Sequence, residues 1–291
     1  MTHEFLNRLF RMALRGGSMA RALIHSRGFT LKPDTSVLTE ADTAIARLIR
    51  EELADLLQDG DHALIDEEDP DNVRFLDSRV LSQPKYIWVA DPIDGTRCYS
   101  NRMPTFAVSI GILRQRRPWL GLVYFPMWGE LFYCDGRQSY FVEQAFSKRE
   151  TRQRIERVDP EITVQSLFLS SVAFFQRFEW NMGLCPIMMA SCAAIDLTWP
   201  TIGRGCGALF KASLWDFAGA WPIFRSAGLE LRSYFDGRIL EQVDPSLFRC
   251  QEPFPWKLKD FYILSSERNF PLIRKALTEK RKKSPQETIE D

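Results

Sequence analysis

The chain has 291 residues, enough for about two average domains or one large domain with a shared core. Its 38 basic and 38 acidic side chains cancel, which leaves no field to hold a nucleic-acid polymer, and 45% apolar against 26% charged residues is a globular composition, not a disordered one. No apolar run reaches the ~20 residues of a bilayer-spanning helix, so a membrane protein is not expected.

Leu6, Phe10, Leu14, Ala20 and Ile24 recur near helical period over residues 2–26 and predict a first helix, with Gly16 and Gly17 as a point of interruption. Arg8, Arg11 and Arg15 stand there without an apolar core or a cleavage site, which argues against a secretory signal and leaves an organelle transit segment as the other reading. Thr39-Glu40-Ala41-Asp42 reads as the capped start of a second helix, with Ile45, Leu48, Ile49, Leu53 and Leu56 on one face. After Asp59-Gly60-Asp61 the texture changes. Short apolar runs at 63–65, 86–90, 106–113, 120–125 and 130–134, bounded by turn residues, predict a largely antiparallel sheet. The charged stretch 147–157 reads as a linker or an exposed edge. Strands at 166–170 and 261–265 then flank helices at 192–202 and 215–227, a last helix covers 267–283, and a polar tail, 284–291, frays. Helices packed on sheets in two lobes, 1–146 and 147–283, is the expected α+β organisation.

The six cysteines include no CxxC pair, and in a chain of this length they read as reduced thiols of a cytoplasmic protein. His3, His25 and His62 lack metal-ligand spacing, so a metal, if present, is held by carboxylates. The segment Tyr86-Ile87-Trp88-Val89-Ala90-Asp91-Pro92-Ile93-Asp94-Gly95-Thr96 supplies them: an apolar strand delivers two aspartates three residues apart, followed by a Gly-Thr turn that bares backbone amides. Two close carboxylates in a poorly solvated pocket raise each other's pKa unless a cation joins them. Oxygen-only ligands suit magnesium or manganese. Leu64-Ile65-Asp66-Glu67-Glu68-Asp69 sets an acidic cluster after another short strand, and Trp215-Asp216-Phe217-Ala218-Gly219-Ala220 sets Asp216 at a helix start. Taken singly, each of these is also an ordinary turn, a solvated face or a helix cap.

Together Glu67-Glu68, Asp91-Pro92-Ile93-Asp94-Gly95-Thr96 and Trp215-Asp216-Phe217-Ala218-Gly219-Ala220 with Ala227-Gly228 resemble the three signature blocks of the inositol monophosphatase family. Lys32-Pro33-Asp34-Thr35-Ser36-Val37-Leu38-Thr39-Glu40-Ala41-Asp42 resembles its upstream block, and Ala193-Ala194-Ile195-Asp196-Leu197 with Gly203-Arg204 a later one. The resemblance implies an α/β/α/β/α layered sandwich, a homodimer, and a magnesium-dependent, lithium-sensitive phosphomonoesterase holding two or three Mg2+ ions, with Mn2+ as the other candidate. It places one metal on Glu67, Asp91 and the Ile93 carbonyl and a second on Asp91, Asp94 and Asp216. It assigns the phosphate to the Gly95 and Thr96 amides, and activation of the attacking water to Glu67, Thr96 and Asp42. The N-terminal lobe then carries the metal and phosphate motifs, while the C-terminal lobe adds the last ligand and substrate recognition through Ser191, Leu209 and Lys211.

Three departures qualify the resemblance. Asp66 stands where the family usually has glycine, Arg97-Cys98-Tyr99 replaces a residue followed by Asn-Phe, and Leu209 replaces a glutamate that contacts substrate. Inositol phosphate is therefore a weaker expectation than a small phosphate monoester in general, with histidinol phosphate and 3′(2′),5′-bisphosphate nucleotides as alternatives. A haloacid-dehalogenase-type phosphatase is disfavoured, because its aspartates lie two residues apart. A metal- or phosphate-binding protein without turnover is the reading from another class.

Overall fold

The structure, a computed structural model, describes residues 1–26, 28–32, 36–171, 173–251 and 254–280. Helix α1 (Thr2–Leu23) buries Phe5, Leu9, Met12, Ala13 and Ala20 along one stripe and is not interrupted at its glycine pair. The glycines are contact points. A Cβ on Gly17 would fall 2.3 Å from Cε1 of Tyr124, so only glycine lets α1 lie this close to the sheet. Gly17→Ala is expected to lower stability by about 1–3 kcal/mol in a urea melt, overpacking outweighing alanine's better helix propensity. An unchanged or raised midpoint would show that this contact yields.

Strands β1 (Phe29–Leu31) and β2 (Val37–Thr39) form an antiparallel hairpin that leads into α2 (Glu40–Glu52). The helix starts where predicted because Thr39 and Asp42 cap each other: the Asp42 amide donates to Thr39 Oγ1 at 3.4 Å and the Thr39 amide to Asp42 Oδ2 at 2.8 Å. Pro33, Asp34 and Thr35 of the upstream block lie outside the described residues.

Strand β3 (His62–Asp66), the short helix α3 (Ser78–Leu81), β4 (Tyr86–Asp94) and the one-turn helix α4 (Thr96–Ser100) follow. Strands β5 (Ala107–Arg114), β6 (Arg117–Phe125), β7 (Glu130–Cys134), β8 (Ser139–Glu143) and β9 (Thr151–Ile155) complete a seven-stranded sheet in sequence order. Every pair in it is antiparallel except β3 with β4, which is parallel. The charged stretch after residue 147 contributes β9, four of whose five residues are exposed, as the sheet's outer edge.

The chain continues through β10 (Phe168–Ser170), α5 (Ala173–Arg177), β11 (Phe178–Trp180), β12 (Ile187–Met188), α6 (Ala193–Thr198) and β13 (Gly207–Phe210). The helix expected over 215–227 is two, α7 (Leu214–Ala218) and α8 (Trp221–Ser226), parted at Gly219-Ala220 and restarted with Pro222 in the first turn. Strands β14 (Glu230–Ser233) and β15 (Tyr262–Ser265) complete a five-stranded mixed sheet of order β12-β10-β13-β15-β14. The last helix, α9 (Phe270–Ala276), is shorter than predicted, because Leu277–Glu279 leaves it as β16 and pairs antiparallel with β11. The rest of the expected helix, from residue 281, and the tail 284–291 lie outside the described residues.

Side-chain alternation fixes the layers. On β4, Tyr86, Trp88 and Ala90 pack with α1 and α2, while Ile87 and Val89 join a core shared with α6, α7, α8 and the inner face of the second sheet. On β13, Ala208 and Phe210 face that central core, whereas Leu209 faces an outer one with Phe174 of α5 and Ile273 of α9. The result is an α/β/α/β/α sandwich with the carboxyl end of β4 beside the central helix layer.

Candidate active site

Asp91 and Asp94 would point to opposite faces of a regular strand, being an odd number of residues apart. The β4–β5 pairing slips between them: Asp91 lies opposite Ser109 and Asp94 opposite Ala107, so three steps on β4 match two on β5. That bulge turns Asp94 back toward Asp91. Asp94 is then fixed by the start of α6. The Ala193 amide donates to its Oδ1 at 3.1 Å, the Cys192 thiol donates to its Oδ2 at 3.1 Å, and the Ala194 amide also donates to it. Asp216 sits in the first turn of α7, where its Oδ2 accepts from the Ser213 amide at 2.6 Å.

These three carboxylates converge, with one oxygen of each lying within 4.8 Å of the others. Asp91 is 1% exposed and its Oδ1 has no hydrogen-bond partner. Among the described residues none of the three makes an ion pair with a basic side chain within 4.0 Å. Burial and mutual repulsion, with Glu67 adding to it, push Asp91 and Asp216 well above the usual carboxylate range. Burial likewise raises Asp94 to about 6, although the amides and the Cys192 thiol pull the other way. An orphaned buried oxygen in an unpaired, all-oxygen cluster fits a hard divalent cation.

Glu67 is not one of the three mutually close carboxylates, although its charge bears on each of them. Lys32 Nζ lies 2.8 Å from Glu67 Oε1 and 2.7 Å from Glu68 Oε1. A lysine bridge thus neutralises the carboxylate expected to join Asp91 on a metal. Burial alone would lower the Lys32 pKa, but the two glutamates more than offset that and raise it. Burial, then Glu67, pushes Glu68 up to about 8. Asp66, in the position of the usual glycine, faces its own turn: its Oδ1 accepts from the Glu68 amide at 3.0 Å, and its Oδ2, which accepts no hydrogen bond, forms an ion pair with Arg50 at 3.9 Å.

Gly95 has φ +90°, and a Cβ there would meet the Thr105 carbonyl at 2.7 Å, so the turn after Asp94 requires glycine. Thr96 Oγ1 donates to the Ile93 carbonyl at 2.8 Å and lies 3.4 Å from Asp42 Oδ1. Burial raises Asp42 to about 6, eased by its bonds from Thr39.

A cavity of about 320 Å³ opens here, lined by Gly95, Thr96, Asp216, Ser191, Leu209 and Lys211 among others. Leu209 reaches it with almost no surface. It is 2% exposed and its side chain packs in the outer core with Phe168 and Phe174, so it contributes shape rather than a polar contact. Ser191 is exposed at φ +54°, and Arg97 is exposed on the rim. Sequence reasoning gave two residues no role. Asp196 of α6, quoted there only within the Ala193–Leu197 block, lines the cavity at 3% exposure with Oδ1 lacking a hydrogen bond. Lys257, whose charge bears on Asp216, comes from a loop with no motif to mark it.

A sequence profile of the inositol monophosphatase family matches residues 3–278. The chain is 42% identical over 152 residues to a fructose-1,6-bisphosphatase/inositol-1-monophosphatase of Aquifex aeolicus, across 50% of this chain and 57% of that protein. It is 28% identical over 247 residues to inositol monophosphatase 1 of Solanum lycopersicum, across 77% and 82%. The matched stretch thus spans just over half of the Aquifex protein. An inositol monophosphatase structure from Thermotoga maritima superposes with a TM-score of 0.72 at 18% identity, covering 94% of this chain and 96% of that one, and shares the layered fold. The chain belongs to the inositol monophosphatase family.

Proposed function

We propose that this protein is a metal-dependent phosphomonoesterase that hydrolyses a small soluble phosphate ester by attack of water. The observation that carries the reading is the convergence of Asp91, Asp94 and Asp216 beside the Gly95-Thr96 turn and the cavity. Asp91, Asp94, Asp216 and the Ile93 carbonyl would hold magnesium or manganese, with Glu67 joining once its carboxylate leaves Lys32. A divalent cation bound there supplies a lowered water pKa and charge neutralisation for the phosphoryl group.

The chain's own groups do the rest. Gly95 and Thr96 offer backbone amides to phosphoryl oxygens. Thr96 Oγ1, between the Ile93 carbonyl and Asp42, is placed to accept a proton from water and pass it to the Asp42 carboxylate. Positioning of this kind accounts for much of the rate in phosphoryl transfer. Nothing in the reading calls for a covalent intermediate. Cys192 is buried, donates to Asp94, and has its thiol pKa pushed well up by burial, so it is a poor nucleophile. The family resemblance extends the proposal to lithium inhibition, a homodimeric assembly and a cytoplasmic setting, the last supported by six free thiols.

The test is phosphate release from inositol, sugar, histidinol and nucleotide phosphates, with magnesium, with chelator, and with magnesium plus lithium. Release that needs magnesium and is inhibited by lithium is expected. Measurable magnesium binding without release from any of them would favour the binding-protein reading instead.

A further inference from the structure

Residues 256–258 are tied to two of the places that supply the expected metal ligands. Trp256 is fully buried with φ +63°, in the left-handed region that a bulky side chain disfavours. Such backbone strain persists only where the surroundings impose it, and it gathers at functional sites. Here the Trp256 amide donates to the Arg249 carbonyl at 3.0 Å and the Arg249 amide to the Lys257 carbonyl at 2.8 Å. The ring packs edge-on against Phe248, 5.3 Å between centres, and Phe248 lies parallel to Phe217, the neighbour of Asp216 on α7.

From this position the indole reaches the turn after β3. Its Nε1–H donates to the Asn72 carbonyl at 3.2 Å, and the buried Asn72 side chain donates from Nδ2 to the Asp66 carbonyl at 2.8 Å. That carbonyl shares a peptide unit with the Glu67 amide, which donates to the Ala90 carbonyl of β4 at 3.2 Å. The peptide is thus pinned on both sides. With it is fixed the Cα of Glu67, whose charge bears on Asp91, the residue after Ala90. The same three residues also hold the other acid. Lys257 bridges to Ser213, the Leu258 amide donates to the Ala212 carbonyl at 3.0 Å, and the Ser213 amide donates to Asp216 Oδ2 at 2.6 Å. Glu67 and Asp216, far apart in the sequence, share one fastening.

We propose that Trp256 is a positioning residue of the metal centre: through Asn72 it sets the turn that presents Glu67, while its own segment holds Asp216. The spacing between the two acids, and with it the affinity for a divalent cation, then depends on the indole N–H. The proposal rests on the metal-dependent reading and adds to it a residue that no motif marks. Groups that orient ligands from behind matter to affinity, and losing one weakens metal binding by about 10- to 100-fold.

Calorimetric titration of Mg2+ into the chelator-stripped, full-length protein tests it. Trp256→Phe keeps an apolar ring and removes the N–H; its Kd is expected to be about tenfold weaker than that of the wild type, with kcat at saturating Mg2+ within about twofold. Asn72→Leu, which leaves the indole in place and breaks the next link, is expected to match it. The double variant should bind no more weakly than Asn72→Leu alone, because both changes cut one chain of hydrogen bonds. Trp221→Phe is the control for lost ring volume: Trp221 is as fully buried, and its N–H has no hydrogen-bond partner among the described residues, so its Kd should stay at the wild-type value. Should Trp256→Phe fail to fold, Asn72→Leu carries the comparison. An unchanged Kd in the two variants, or an equal loss in Trp221→Phe, overturns the proposal. If the wild type binds no Mg2+, the metal-dependent reading fails on its own, and hydrogen exchange of the 67–72 amides decides this inference. Faster exchange in Trp256→Phe than in both wild type and Trp221→Phe sustains the positioning of the turn, and equal exchange rejects it.

Discussion

Asp91→Asn is expected to abolish magnesium-dependent turnover while raising the melting temperature of the metal-free protein. Asp91 lies on β4 at 1% exposure, with Oδ1 unpartnered and the carboxylates of Asp94 and Asp216 within 4.8 Å. Asparagine keeps the volume and removes one of three like charges, so the folded, metal-free state gains by losing repulsion. The same change removes an anionic ligand shared by both expected metals, and a neutral amide is a poor substitute for a carboxylate on a hard cation. The loss in kcat/KM should be at least about a thousandfold, roughly 4 kcal/mol of transition-state stabilisation. The metal-free melting temperature should rise by a few degrees, as a gain of about 1 kcal/mol gives in a chain of this size. Magnesium should then no longer shift it. A variant that melts lower without metal, or keeps the magnesium-induced shift, would show that the cluster is held by contacts other than a cation.

That site was legible in outline because its chemistry is local in sequence. Asp91, Asp94, Gly95 and Thr96 lie within six residues, and Thr39 to Asp42 is a helix start that sequence alone announces. How Asp94 turns toward Asp91 was not legible, since the bulge belongs to the pairing of β4 with β5. Nor was the engagement of Glu67 by Lys32, an ion pair across 35 residues. The last helix shows the same limit in the fold. Residues 277–279 read as helix in a local window, yet Leu277 pairs with Trp180 nearly a hundred positions away, and a nonlocal ladder overrides local propensity. Gly16 and Gly17 read as a breaker for the opposite reason: the close approach of Tyr124 that makes glycine useful inside α1 is visible only in three dimensions.

The metal-free protein is expected to lose stability as pH rises from about 4 to about 8, and magnesium to cancel the share of that loss that comes from Asp91, Asp94 and Asp216. In the folded state burial raises Asp42, Asp66 and Asp94 to about 6 and Glu68 to about 8, against ordinary values of 3.8 for aspartate and 4.5 for glutamate, and Asp91 and Asp216 are raised as well. Between those limits the folded chain holds protons that the unfolded chain has released, so the stability slope with pH is negative. The protonated carboxyls' advantage is whole below the unfolded values, drains away as pH climbs through the folded ones, and is spent above about 8. Exposed aspartates whose pKa is lowered by a neighbouring arginine, such as Asp77 at about 2, act in the opposite sense, but only below about pH 4. A divalent cation binds the ionised forms of Asp91, Asp94 and Asp216 and displaces their protons, so the magnesium-induced rise in melting temperature should grow from pH 5 to pH 8. Melting curves at constant ionic strength, with chelator and with magnesium, read both trends. A chelated protein whose melting temperature is flat or rises over that range would mean that the acids are already neutralised within the chain, with Lys32 and Lys257 reaching further into the cluster than their present contacts require.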